Sequence, residues 1–233
     1  MVVRDNLLTQ KMEPSPIEFV TVKTTLPKLP FPKNNEREPF RTERLLMRPF
    51  TEDDFEALRV LRTQPEVMVW FTQGRPDKDV EETKKNLALQ LPPHDLERYN
   101  WAICLAETGE FIGIGGNGMW KGELGWPEVG YSLVKEAWGK GYITEFLKAY
   151  LAQWWALPRE EVELKVDKNS VRGDGGAEKE CVVAITVDDN ASSQNVLRKC
   201  GFDLVTAWEE TDLRDTSKMV TLYGFVAHKE KSL

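Results

Sequence analysis

Hydrophobic and polar positions along the chain change period repeatedly, and each change marks an element. Residues 43–50 (ERLLMRPF) read as a short strand. Thr51-Glu-Asp-Asp54 follows with capping-box spacing, Asp standing where Glu or Gln is usual. A helix is therefore expected from about residue 52, with Phe55, Leu58 and Leu61 on its buried side. A second helix is expected over 79–90, stopped by Pro92-Pro93. Three strands come next: 100–107, then a turn at Thr108-Gly109, 110–115 running back antiparallel, and 127–134. The strongest periodic segment follows Gly139-Lys140-Gly141. Its apolar residues Ile143, Phe146, Leu147, Tyr150, Leu151, Trp154 and Trp155 form one amphipathic stripe, ended by Pro158. Residues 181–187 (CVVAITV) are almost continuously apolar, the pattern of a strand covered on both faces, as in a parallel pair. A helix over 190–200 with Gly201 just beyond it, then a hairpin of 202–208 and 219–227, complete the series.

Two segments break this rhythm. Residues 1–40 hold six of the thirteen prolines: Pro14, Pro16, Pro27, Pro30, Pro32 and Pro39. They exclude a continuous helix or central strand there. The β-prone stretch 17–25 suits an edge strand, so the region reads either as an extended arm lying on the domain or as a disordered tail. Residues 158–180 carry 12 charged side chains in 23 positions, with Gly173, Gly175 and Gly176. They read as an exposed excursion with a strand at 162–166.

Composition narrows the class. Lys and Arg number 31 against 38 Asp and Glu, a net charge of −7, with 41% hydrophobic and 30% charged residues in 233. This suits a folded protein and argues against nucleic acid as a general partner. No run nears the ~18 apolar residues of a membrane span. Cys104, Cys181 and Cys200 lie far apart without metal or redox spacing, so no metal site is expected and a core role is favoured over reactivity. His94, after Pro92-Pro93, reads as a loop residue rather than a base. The N-terminus lacks a signal-peptide pattern and the chain ends Lys-Ser-Leu rather than Ser-Lys-Leu, so the expected location is cytoplasmic.

Two glycine motifs stand out. Gly113-Ile-Gly115-Gly-Asn-Gly118 satisfies G-x-G-x-x-G, but turn residues follow it instead of a helix, so a strand end and loop are favoured over a dinucleotide site. Gly139-Lys140-Gly141 sits between a strand and the strongest helix, where backbone N–H groups and the helix dipole suit an anion such as a pyrophosphate. A tight turn without ligand is the plainer alternative.

Residues 135–145 (KEAWGKGYITE), following Glu128-Val-Gly-Tyr131, resemble the acetyl-CoA pyrophosphate loop of the GNAT N-acetyltransferase superfamily, in the branch of the ribosomal-protein N-terminal acetyltransferases. Asn190, Ser193, Val196, Leu197, Lys199, Gly201 and Phe202 match a second signature of that branch, and 42–49 (TERLLMRP) fits its opening. The resemblance implies an α/β (α+β) fold: a mixed, mostly antiparallel sheet flanked by helices, with a splayed parallel strand pair at the acyl-CoA site. It implies a single domain over 41–233, after the arm at 1–40 and with the excursion at 158–180.

The activity implied is acetyl transfer from acetyl-CoA, as co-substrate, to a primary amine by direct attack. The alternative is a GNAT-like module that holds acyl-CoA without turnover. Coenzyme contacts are implied for Trp138, Gly139, Lys140, Gly141, Tyr142, Ile143 and Thr144 at the pyrophosphate, for Asn190 at the pantetheine or the thioester region, and for the amides of Leu133 and Val134 at the thioester carbonyl. Glu128, which alternation places on one face with Gly130, Ser132 and Val134, is the candidate base, with a structural carboxylate as the alternative. Many GNAT enzymes use a Tyr where this chain has Leu197, so the matching polar group, Ser193, is the candidate for protonating the thiolate; its alternative is a hydroxyl bonded to its own helix. Asn190 can equally cap its helix. Of the eight tryptophans, Trp154 and Trp155 are expected in the core, and Trp138 adjoins the loop. Trp70, Trp120 and Trp126 either wall the acceptor side or cover loops. The partners implied are acetyl-CoA and an amine acceptor, with a homodimer possible.

Overall fold

Pairing of short amphipathic strands organises the molecule. The computed structural model describes residues 12–173 and 178–229. Ten strands occur among them: β1 (Phe19–Pro27), β2 (Phe40–Arg41), β3 (Leu45–Arg48), β4 (Tyr99–Leu105), β5 (Phe111–Met119), β6 (Glu128–Leu133), β7 (Arg159–Asp167), β8 (Cys181–Val187), β9 (Asp203–Thr211) and β10 (Met219–His228). The helices are α1 (Phe55–Arg62), α2 (Pro65–Met68), α3 (Val80–Ala88), α4 (Tyr142–Ala156) and α5 (Ala191–Lys199). Eight strands form one sheet in the order β2-β3-β4-β5-β6-β8-β10-β9, while β1 and β7 form a separate ribbon. Every pairing in the large sheet is antiparallel except β6 with β8. This is the mixed sheet with one parallel pair that the resemblance implied.

Period-two alternation divides the residues between two faces. On one face Trp101, Ile103, Val129, Leu133, Val182 and Ala184 pack against Phe146, Leu147, Tyr150 and Trp154 of α4 and Leu197 of α5. On the other, Ala102 and Cys104 meet Leu58 of α1 and Leu87 of α3. Further along that face Cys181 and Val183 meet Val22, Leu26, Leu164 and Val166 of the β1–β7 ribbon. Helices thus cover one face, and helices and the ribbon divide the other.

Two local readings change. The glycines 113–118 do not end a strand; they lie inside β5. A Cβ on Gly115 would come within 2.4 Å of the Phe146 ring, so its absence lets α4 close onto the sheet. In residues 158–180 the strand expected at 162–166 forms, but it is longer and its inward side is buried rather than exposed. Strand β7 runs through them with Leu164 and Val166 buried, because alternate charged residues face solvent and the apolar ones between them face the sheet. Gly175 and Gly176 lie outside the described residues, as do the first eleven residues and the last four.

The proline-rich arm is tied down along its described length. Asn34 donates through Nδ2 to the carbonyls of Phe50 at 3.1 Å and Gln90 at 2.8 Å. Its backbone N–H donates to Asp95 Oδ2 at 2.7 Å. Phe31 is 1% exposed, with its ring 5.2 Å from Tyr99, 5.7 Å from Trp120 and 6.0 Å from Trp154. Phe31→Ala should therefore cost ~3–5 kcal/mol in denaturant-induced unfolding, against a few tenths for a side chain on a loose tail.

Candidate active site

The one parallel pairing in the sheet is a single bridge, Glu128 to Val183, with the Val183 N–H donating to the Pro127 carbonyl at 3.0 Å. Beyond it β6 and β8 part. The other edge of β6 stays bonded to β5, and the Val134 N–H donates to Ile112 O at 2.9 Å. In an antiparallel pair bonding residues alternate. The backbone groups of Tyr131 and Leu133 therefore face the gap, and Val134 faces away. Of the two amides expected at a thioester carbonyl, Leu133 has the required direction and Val134 does not. Leu133 O is already taken by the Trp138 indole, Nε1 to O 2.9 Å.

At the mouth of this gap Gly139 and Gly141 have φ of 73° and 79°. This left-handed backbone is natural to glycine and strained for other residues. Gly141 caps α4, and its carbonyl accepts the Glu145 N–H at 3.1 Å. The first-turn amides of Tyr142, Ile143 and Thr144 precede any intrahelical acceptor and point outward along the axis. With exposed Lys140 they make a cradle fit for a pyrophosphate. The Trp138 N–H is not part of it, because it closes the preceding turn onto Lys135 O at 3.1 Å.

Arg44 is a residue that sequence reading did not single out. Its Nε donates to Glu145 Oε2 at 2.7 Å and its Nη1 to Lys140 O at 2.9 Å, and its guanidinium lies 4.9 Å from the Tyr142 ring centroid. Thr42 Oγ1 also donates to Glu145, at 2.6 Å. Although burial opposes it, hydrogen bonds from Thr42 and Arg44 hold the Glu145 carboxyl below its ordinary pKa. The clamp ties the loop to the start of β3 and neutralises an acid that would otherwise repel an anion at the helix end.

Against β4, β5 and β6 lies a cavity of ≈ 200 Å³, lined among others by Phe71, Asn100, Met119, Glu128 and Tyr131. Glu128 Oε2 is buried there without a hydrogen-bond partner. Burial, reinforced by the charge of Glu123, pushes the Glu128 carboxyl up to about 7. Two features aim it. A β-bulge in β5 at 117–119 faces it, with Asn117 Nδ2 donating to Glu128 O at 3.0 Å. Gly122 leaves room, since a Cβ there would lie 2.3 Å from Oε2.

Ser193 and Asn190 meet at the start of α5, where the Ser193 N–H donates to Asn190 Oδ1 at 3.0 Å, so Asn190 caps the helix. Ser193 Oγ lies 3.0 Å from the Tyr131 hydroxyl, another residue that sequence reading passed over. Leu197 is fully buried in the core. Cys104 and Cys181 are buried, and burial raises the Cys200 thiol to about 11, so none is poised as a thiolate. The tryptophan wall is not there. Trp126 is fully buried and donates to Ser170 Oγ at 2.7 Å, Trp120 packs on Phe31, and Trp70 is exposed. Their chain neighbours Phe71 and Met119 line the cavity instead.

Residues 44–203 match the model of the acetyltransferase (GNAT) domain. The chain belongs to the GNAT family. It is 29% identical over 136 residues, 56% of this chain and 74% of the relative, to the "Uncharacterized N-acetyltransferase p20" of Bacillus licheniformis. Its fold is similar to a GNAT-family acetyltransferase from Bacillus anthracis, with TM-score 0.61, 18% identity, and 82% and 98% of the two chains covered. It is also similar to a spermidine N-acetyltransferase from Vibrio cholerae in complex with CoA and spermine, with TM-score 0.60, 12% identity, and 80% and 96% covered. Acetyl transfer from acetyl-CoA is the general chemistry of this family. Among the described residues no helix is long and apolar enough to cross a membrane.

Gly141 gives the direct test of the cradle. Its would-be Cβ meets only Arg44 Nη2, at 3.6 Å, so a substitution strains the backbone without crowding the core. Gly141→Glu should weaken acetyl-CoA binding at least tenfold by calorimetry while the protein stays folded; unchanged affinity would remove the phosphate from this loop.

Proposed function

We propose that this protein transfers the acetyl group of acetyl-CoA to a primary amine, on a protein N-terminus or a small molecule, by direct attack within a ternary complex. The observation carrying this reading is Glu128: a buried, unpartnered carboxylate oxygen in a cavity beside the open edge of β6. Bound acetyl-CoA supplies an acetyl group activated as a thioester. The amides of Gly141 to Thr144 and Lys140 hold its pyrophosphate, and the edge groups of Tyr131 with the N–H of Leu133 receive the pantetheine arm.

An amine acceptor arrives largely protonated and cannot attack in that form. Glu128, with its pKa raised to about 7, takes the proton on its carboxylate. The Leu133 N–H donates to the carbonyl oxygen as negative charge develops on it. Ser193 faces the leaving sulfur from α5. The chemistry suits an amine because a proton must leave the nucleophile and Glu128 is the carboxylate of the cavity lining that can take it. The spermidine enzyme with a similar fold is in keeping with that class, and so is the GNAT domain match. The other reading, acyl-CoA binding without turnover, rests on Leu197 in place of a Tyr.

Glu128→Gln separates them. Glu128 acts as a base only when ionised, so kcat/KM should rise with pH through about 7 and level off above it. The Gln variant should lose ~10²–10⁴-fold in turnover, and the limb near pH 7, while binding acetyl-CoA normally. Burial also sets the sign of a stability effect. The folded pKa exceeds 4.5, so the native state holds the proton more tightly than the unfolded chain and stability declines as pH rises from 4.5 to 7. Above pH 7 the Gln variant should be more stable than the parent, by up to ~3 kcal/mol in chemical denaturation. Acetyl-CoA binding without thiol release across an amine and peptide panel would favour the non-catalytic module.

A further inference from the structure

The helix that faces the leaving sulfur in the proposed reaction offers no tyrosine: Leu197 is fully buried, and the nearest hydroxyl on α5 is Ser193. A serine hydroxyl on a helix ordinarily donates back to a carbonyl of its own chain, which would turn its proton away from the gap. Here another partner is present. Tyr131, on the part of β6 that has left β8, reaches across to α5 and places its hydroxyl 3.0 Å from Ser193 Oγ and 3.4 Å from Ser193 O. It also lines the cavity that holds Glu128. Tyr131 shares its face of β6 with Val129 and Leu133, the helix-covered face, whereas Glu128 belongs to the other. The gap therefore joins a carboxylate on one side of the sheet to a pair of hydroxyls on the other.

We propose that Tyr131 is a positioning residue: its hydroxyl donates to Ser193 Oγ, which frees the Ser193 proton to donate to the sulfur of coenzyme A. The inference rests on the acyl-CoA reading of the gap. Burial keeps Tyr131 protonated well above neutral pH, so it stays a donor throughout the working range. Neither hydroxyl needs to lose its proton. The first ammonium proton, taken by Glu128 before attack, passes on to solvent, and as the amine nitrogen bonds to the acetyl carbon its second proton passes to the freed Glu128 carboxylate. As the carbon–sulfur bond breaks its electron pair stays on sulfur, and the Ser193 O–H stabilises the resulting thiolate. Coenzyme A thiol resembles free cysteine, near ~8.5, so a hydrogen bond suffices to help it leave. The tyrosine that many family members place on the helix is thus replaced by a serine aimed from the facing strand.

The test needs no acceptor. Coenzyme A is bound to the parent, to Tyr131→Phe and to Ser193→Ala, and its thiol is titrated by the ultraviolet absorbance of the thiolate, with the desulfo-coenzyme A complex as blank. A hydrogen bond to a charged group is worth ~1.5–3 kcal/mol, so the bound thiol should titrate about 1 pH unit or more higher in each variant, and by similar amounts in both. Cys200 lies near the pair, and Glu128 lines the same cavity as Tyr131. They are common to all three proteins and drop out of the comparison. Should the Phe variant fold poorly, Tyr131→Leu removes the same hydroxyl. A rise with Ser193→Ala but not with Tyr131→Phe would overturn the role of Tyr131, as would identical titration in all three. Failure of the parent to bind coenzyme A would instead overturn the acyl-CoA reading itself.

Discussion

One bridge and no more joins β6 to β8, and the chemistry proposed for this protein depends on that divergence. A β-sheet ordinarily leaves no backbone donor idle in its middle, because unpaired N–H and C=O groups cost about as much as lost hydrogen bonds. Here the eight-stranded sheet opens at its centre, beyond the Glu128–Val183 contact, and presents the edge groups of Tyr131 and the N–H of Leu133. An extended chain with its own amide groups can pair with such an edge as another strand would. The pantetheine arm of coenzyme A is a molecule of that kind. The opening also connects the two faces of the sheet, so groups of opposite function can act on one atom from either side.

The surroundings preserve the gap. Helices α4 and α5 brace one face through the aromatic column Phe146, Tyr150 and Trp154, and the glycines of β5 let that column sit close to the backbone. The β1–β7 ribbon and helices α1 and α3 cover the other face, and the cavity is lined by β4, β5 and β6 with Phe71 and Gln90. Electrostatics are equally local. A net charge of −7 coexists with an anion cradle of backbone amides, because Arg44 and Thr42 neutralise the one acid in the first turn of α4. Glu128 has no such partner, and the cost of its burial is what brings its pKa into a useful range.

Much of the fold is visible in the chain because burial repeats. The α4 stripe and the continuous apolar run of β8 each carry several residues that say the same thing, and both elements form where expected. The charged strand β7 is legible only as a short strand at 162–166; its full length and burial are not, since its inward residues are separated by charges and its partner β1 lies about 140 positions earlier. At the site, Glu128, Ser193 and the glycine loop belong to local motifs and are legible as such. Arg44 and Tyr131 are not, because their partners Glu145 and Ser193 are 101 and 62 residues away. The difference between Leu133 and Val134 is a matter of ladder phase, fixed by the pairing of β6 with β5. The exchange of Trp70 and Trp120 for Phe71 and Met119 is likewise a one-residue question that composition does not answer.

Amide hydrogen exchange with and without acetyl-CoA tests the open edge most directly. The Val134 amide, bonded to Ile112, should exchange slowly in both states, whereas Leu133 and the first-turn amides Tyr142 and Ile143 should exchange readily in the free protein and slow when acetyl-CoA is added. Leu133 already protected without ligand, or protection appearing elsewhere while Leu133 and the α4 terminus stay unchanged, would contradict the account.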